Sequence, residues 1–195
     1  MIRLFDLFIS LIGLVILSPL LAVISLWILL DSKGGIFFHQ TRVGKDGKDF
    51  RLIKFRSMVE NAESSGNLTV GVHDSRITRA GIFLRRFKLD EIPQLFNVLA
   101  GEMSLVGPRP EVRKYVELYS EDQRKVLTVR PGITDYASIE YINENEILGR
   151  SANPEKVYIE EVMPAKIELN MKFIDNPTVA TYFRILFKTL TGILS

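Results

Sequence analysis

The sequence predicts a mainly α-helical fold with one small β-hairpin, in a monotopic membrane protein held by a broken, re-entrant amino-terminal helix and by amphipathic interfacial helices. Three observations carry that prediction. An uncharged run of 24 residues extends from Leu7 to Leu30. One pair of neighbouring segments, Phe37 to Val43 and Phe50 to Phe55, has the aromatic and β-branched composition of strands. Much of the rest carries helix caps or apolar residues at helical spacing. The 195 residues fit one body plus a membrane segment. A hydrophobic content of 47% is high for a soluble protein, yet 25% charged residues are too many for a chain that crosses the membrane repeatedly.

As a helix, Leu7 to Leu30 reaches about 36 Å at roughly 1.5 Å per residue, enough for a hydrocarbon core of about 30 Å. It is too long for a signal peptide, its preceding basic region is only Arg3, and no Ala-x-Ala pattern follows, so it is expected to remain in the mature protein. Ser18-Pro19 falls near its middle, where proline removes one backbone hydrogen bond and pushes against the carbonyl of Val15. A kink there allows either a bent crossing or a hairpin that returns both ends to one side. Lys33, Arg42, Lys45, Lys48, Arg51, Lys54 and Arg56 follow the run, which places the body on the cytoplasmic side. Arg3 then favours the re-entrant form, with an ordinary kinked anchor as the alternative.

Gly44-Lys45-Asp46-Gly47-Lys48 links the two strand-like runs as a hairpin. Its cations suit lipid headgroups, a phosphate or plain solvent. Glu60 to Ser75 is polar and aperiodic and reads as a mobile loop. Ile82 to Phe87 is helical or extended, and a clearer helix is expected from Asp90 to Ala100. Pro93 lies in its first turn, Gly101 is its stop, and Ile92, Leu95, Phe96 and Leu99 are its apolar face. Ser120 with Gln123 forms a capping-box signature, and Asn153-Pro154 and Asn176-Pro177 mark two further helix starts. Thr178 to Ser195 is apolar apart from Arg184 and Lys188, a pattern that fits an interfacial helix or a core helix.

A net charge of +2 lacks the overall basic excess of a nucleic-acid binder. Without cysteine there is no disulfide, thiolate metal site or thiol nucleophile, and His39 and His73 are too few for a histidine-rich metal centre. Any metal must sit on carboxylates. The stretch with most chemistry is Arg85 to Leu95, in which Asp90 and Glu91 stand at an expected helix start, where the macrodipole favours two ionised carboxylates. Neighbouring positions point about 100° apart on a helix, so the two suit separate roles rather than one shared proton. One can attack phosphorus, and the other can hold Mg²⁺, which is commonly bound by one or two carboxylates together with substrate phosphates. Arg85, Arg86 and Lys88 precede the pair. Gly107-Pro108-Arg109-Pro110 and Arg130-Pro131-Gly132 each offer an arginine on a stiff turn, suited to phosphate. Asp-Glu at a helix start is also ordinary capping, and Pro-Arg-Pro is also an ordinary turn.

The chain resembles the small monotopic phosphoglycosyl transferases, or bacterial sugar transferases, which start glycan assembly on undecaprenyl phosphate. The resemblance rests on Gln40-Thr41-Arg42-Val43-Gly44 with Gly47 and Phe50, on Lys54-Phe55-Arg56-Ser57-Met58, and on Leu89 to Leu99. It continues through Gly101 to Pro110 and Arg130-Pro131-Gly132-Ile133-Thr134. It implies that Asp90 attacks the β-phosphate of a UDP-sugar, releasing UMP and leaving a sugar phosphate on the carboxylate, which undecaprenyl phosphate then takes. It further implies Glu91 as the Mg²⁺ ligand, Arg85 and Arg109 as phosphate-binding residues, Lys54 and Arg56 as residues that shape the site, and Ser18-Pro19 as the break of a re-entrant helix. Arg130 joins the candidates through its turn. On this reading residues 1–32 are the membrane helix and 33–195 the catalytic domain with interfacial helices, on the cytoplasmic face of the bacterial inner membrane among its lipids. The extra spanning helices of larger members are missing, as in a minimal catalytic form. Direct transfer in a ternary complex and a non-catalytic phosphate-binding scaffold are the competing readings. Two departures stand out. Glu102 replaces a common Asp, and Asp135-Tyr136-Ala137-Ser138 replaces the usual Gly-Trp-Ala-Gln, which leaves the sugar undetermined.

Overall fold

The structure, a computed structural model, describes residues 1–60, 62 and 74–194. Most of the loop expected over 60–75, with His73, lies outside the described residues. Helix α1 (Ile2–Asp31) contains Pro19 and is helical on both sides of it. Pro19 removes the N–H that the Val15 carbonyl would accept, and the Ser18 hydroxyl donates to that carbonyl at 2.8 Å in its place. Both ends of α1 are fastened to the same body. Near the amino end, Arg3 donates to the carbonyls of Val98 (2.7 Å) and Met103 (3.2 Å). The buried Asp6 accepts from the Ser104 hydroxyl, the Leu105 N–H and the Tyr182 hydroxyl at 2.8–2.9 Å. At the other end, Asp31 accepts from the Ala80 N–H at 2.9 Å, and Arg56 donates to the carbonyls of Ile28 and Ser32. Between these ends only 17% of the most apolar window is buried, and Phe8, Val15, Ile16, Val23 and Leu30 stand exposed.

Strands β1 (Phe37–Val43) and β2 (Asp49–Phe55) form the expected antiparallel hairpin, with Phe37 opposite Phe55 and Val43 opposite Asp49. Asp46 (φ 58°) and Gly47 (φ 72°) take left-handed conformations to close its loop. The segment left open as helical or extended is helix α2 (Arg79–Arg86), capped by Thr78, whose hydroxyl accepts from the Gly81 N–H. Gly81 is pressed against the Ser57 carbonyl, where any Cβ would lie 2.0 Å from the oxygen. Helix α3 (Gln94–Ala100) ends at Gly101 in the left-handed conformation (φ 88°), as its glycine stop predicts.

Strand β3 (Ser104–Val106) pairs in parallel with β4 (Gly132–Thr134), a pairing with no signal in the local sequence. It sets the two arginine-proline turns side by side. Gly107 and Gly132 meet backbone to backbone there, since a Cβ on Gly132 would lie 2.1 Å from the Gly107 nitrogen. The remaining helices are α4 (Arg113–Val116), α5 (Tyr136–Glu140), α6 (Glu144–Gly149), α7 (Pro154–Val157), α8 (Met163–Ile174) and α9 (Val179–Leu194). Ser120 and Gln123 form the reciprocal capping box, though it opens a 3-10 helix, Gln123–Thr128. Asn153 caps α7, accepting from the Lys156 N–H. Helix α9 packs one face on the core and leaves the other exposed. Tyr182 and Ile185 are fully buried beside Met103 and Val106, while Phe187 and Leu190 are exposed.

Candidate active site

Lys88 adopts a left-handed conformation (φ 56°) and turns the chain from α2 into a 3-10 turn, Leu89–Glu91. Asp90 and Glu91 therefore precede α3 instead of opening it, and the helix expected from Asp90 starts at Gln94. Their environments differ. Asp90 is 6% exposed and accepts no hydrogen bond from any described residue. Burial raises its carboxyl pKa, and the neighbouring Glu91 charge adds to the rise, against partial compensation from Lys54, Arg85 and Lys88. Because α3 begins only at Gln94, the expected helix-start stabilisation does not act on Asp90, and desolvation raises its carboxyl instead.

Glu91 is held on both oxygens. Lys54 Nζ lies 2.9 Å from Oε1, while Arg109 engages Oε1 through Nη2 and Oε2 through Nη1 at 3.1 Å. Burial pushes the Glu91 carboxyl up, but Arg109 and then Lys54 overcome that and hold it well below the usual carboxylate range. Burial lowers Lys54, which Glu91 only partly offsets, and Glu91 raises Arg109 further above its ordinary value. One carboxylate is locked by cations; the other is desolvated and has no donor among the described residues.

Three polar groups position this cluster. The Asn97 side chain accepts from the Ile53 N–H (3.0 Å) and donates to the Arg51 carbonyl (2.7 Å), which clamps β2 to α3 and presents Lys54 to Glu91. Glu102 accepts from the same Asn97 amide at 2.7 Å. Asp135, 2% exposed, accepts from the backbone N–H of Arg109 (2.8 Å) and from Asn170 (2.8 Å), and caps α5 through the Ser138 N–H. Arg42 braces the far side of the turn, donating to the Pro110 carbonyl and to Glu111, which also accepts from the Tyr158 hydroxyl at 3.0 Å.

Lys54, Asp90, Glu91 and Arg109 are thus brought together, and Arg85 lies close enough to lower the Asp90 carboxyl. Arg56 is elsewhere: its Nη2 bonds Ile28, Ser32 and the Ser32 hydroxyl, satisfying the carboxyl end of α1. Arg130 donates to the Gly101 carbonyl at 2.8 Å and is exposed. Ser18 and Pro19 belong to α1 and take no part in the cluster. Asp135, Asn97 and Asn170 are site residues to which sequence reasoning gave no role, although Asn97 lies in the Leu89 to Leu99 run and Asp135 in the departure that follows Thr134.

No group of three or more metal-ligating side chains occurs among the described residues. A carboxylate pair beside two cations still fits Mg²⁺, which takes most of its remaining ligands from water and substrate phosphate. The fit requires Lys54 and Arg109 to release Glu91 to the metal.

The model of the family described as bacterial sugar transferase matches residues 1–195. The chain belongs to that family. Among relatives of this bacterial sugar transferase, the UDP-N-acetylgalactosamine-undecaprenyl-phosphate N-acetylgalactosaminephosphotransferase of Aeromonas hydrophila is 37% identical over 193 residues, 97% of the chain but 43% of that protein. The UDP-glucose:undecaprenyl-phosphate glucose-1-phosphate transferase of Klebsiella pneumoniae is 38% identical over 96% of the chain and 39% of its own length. The exopolysaccharide production protein PSS of Rhizobium leguminosarum bv. phaseoli is 37% identical, with 99% of the chain and 94% of that protein covered. The transferase chain thus spans less than half of the first two and nearly all of the third.

Proposed function

We propose that this sugar transferase moves a sugar-1-phosphate from a UDP-sugar to undecaprenyl phosphate as the first membrane step of glycan assembly, through a phosphosugar carried on Asp90. The observation that carries the reading is the asymmetry of the pair: a buried carboxylate with no hydrogen bond from the described residues beside one locked by Lys54 and Arg109. A carboxylate stripped of donors is a stronger nucleophile than a solvated one. Its attack forms the Asp90 Oδ–phosphorus bond at the β-phosphate and breaks the bond from that phosphorus to the bridging oxygen, so UMP leaves with the electron pair. A phosphate oxygen of the lipid then attacks the same phosphorus and expels Asp90. Arg109 and Lys54 turn from Glu91 to the donor's phosphates and balance their charge. Glu91 would hold Mg²⁺, which would supply charge neutralisation to the donor phosphates.

Membrane attachment on the cytoplasmic face fits the surface. The uncovered side of α1 continues onto α2 through Trp27 and Phe83 (centroids 5.4 Å apart) and onto α9 through Phe5 and Phe183 (5.2 Å). A helix fastened to one body at both ends supports the monotopic arrangement, with this apolar side in the lipid and the phosphate site at its border.

The test is incubation with Mg²⁺ and a panel of UDP-sugars, without lipid, followed by intact mass and UMP assay. A sugar-phosphate adduct with matching UMP, absent from Asp90→Asn, is the expected result. UMP formed only with undecaprenyl phosphate, and no adduct under any quench, overturns the covalent route in favour of direct transfer. No UMP from any donor with lipid present overturns the transferase reading and leaves the scaffold.

A further inference from the structure

We infer that Asn170 reads the donor: its side-chain oxygen accepts a hydrogen bond from a hydroxyl or amide N–H of the nucleotide-sugar, in a cleft that opens beside Arg109. The inference rests on the proposed transferase reading. The cleft is lined by Pro108, Arg109, Glu111, Tyr158, Lys166 and Asn170, so it begins at the residue that grips Glu91. Asn170 projects from α8 and is 5% exposed. Its Nδ2 donates to Asp135 Oδ2 at 2.8 Å, and its Oδ1 has no hydrogen-bond partner among the described residues. A carboxylate only accepts, so the amide nitrogen must face Asp135 and the oxygen must face away from it. A buried acceptor in this condition calls for a ligand or a bound water.

Position favours the ligand. The Asp135 carboxylate that orients Asn170 also receives the backbone N–H of Arg109 at 2.8 Å. The vacant acceptor and the phosphate-binding arginine are therefore keyed to one buried group, which fixes their separation. Besides Arg109, the cleft's other cation is already used, since Lys166 Nζ lies 2.6 Å from Glu144 and 5.8 Å from the Tyr158 ring centroid. A neutral donor group suits this lining better than a further phosphate. The nucleotide-sugar offers such groups on its sugar, as hydroxyls or an acetamido N–H, and on its base, as the uracil N–H.

The experiment measures KM for UMP release by the wild-type protein and by Asn170→Ala, using donors that each lack one sugar hydroxyl, a donor without the acetamido N–H, and an N3-methyluridine donor. Alanine also loosens Asp135, so raw activity is uninformative; comparing donors on the same protein cancels that damage. The expected result is one modification that raises the wild-type KM about ten-fold or more and changes that of Asn170→Ala by less than about two-fold. A sugar analogue in that role assigns the contact to the sugar, and the methylated base assigns it to uracil. Penalties of equal size in both proteins for every analogue overturn the inference. So does a wild-type protein indifferent to the whole panel, a result that stands even if the variant fails to fold. Absence of UMP with every unmodified donor overturns the transferase reading itself, and turnover with additive penalties overturns only the role of Asn170.

Discussion

At the scale of single residues, the two carboxylates have opposite stability consequences. Asp90's folded pKa is raised, so between the ordinary carboxylate range and that raised value the folded state binds more protons, and stability falls as pH rises through the interval. Asp90→Asn is accordingly expected to abolish turnover while raising Tm at pH 7, by roughly 3 °C, with the gain vanishing as pH falls to the ordinary carboxylate range. Thermal unfolding in detergent across pH checks it. Glu91's folded pKa is depressed, so its contribution is complete above the ordinary carboxylate range and is lost only as pH falls through the depressed value. Glu91→Gln leaves Lys54 and Arg109 without their partner and is expected to cost about 3 kcal/mol in denaturant unfolding. While both cations hold Glu91, a divalent ion gains little there. Mn²⁺ binding followed by electron paramagnetic resonance is expected to be weak alone and about ten-fold or more tighter with UDP. Lys54→Met should strengthen binding of Mn²⁺ alone.

At the scale of elements, the hairpin and the glycine stop of α3 were legible because adjacent residues determine them. The 3-10 turn at Leu89–Glu91 was not, since Lys88 carries no local sign of a left-handed backbone. Arg56 was misplaced for a related reason: its partners are the last carbonyls of α1, 24 and 28 residues earlier. Asp135 and Asn170, 35 residues apart, meet only once α8 has packed on α5. The Asp90-Glu91 pair and the Arg109 turn could be read, whereas what positions them depends on distant contacts. Asn97 is the element-level clamp. Asn97→Ala unpairs the Ile53 N–H and is expected to cost about 1–3 kcal/mol; amide exchange at Ile53 and Lys54 should accelerate with it.

At the scale of the molecule, the exposed apolar side chains of α1, α2 and α9 lie around a body whose carboxylate site is made of polar and charged groups. Phe187 (69% exposed) and Leu190 (62%) contribute nothing to the core. Phe187→Glu combined with Leu190→Glu is expected to leave Tm in detergent unchanged and to reduce flotation with liposomes several-fold. Equal flotation would show that α9 stays out of the lipid.

The Asp6–Tyr182 hydrogen bond joins residues 176 apart, at 2.8 Å. Helix α1 is thus completed by α9, which is synthesised well after it. Until α9 has been synthesised, the Asp6 carboxylate must wait at the membrane without one of its donors, in a chain that cannot reach its final packing. The final packing of α1 therefore depends on the arrival of a single distant tyrosine.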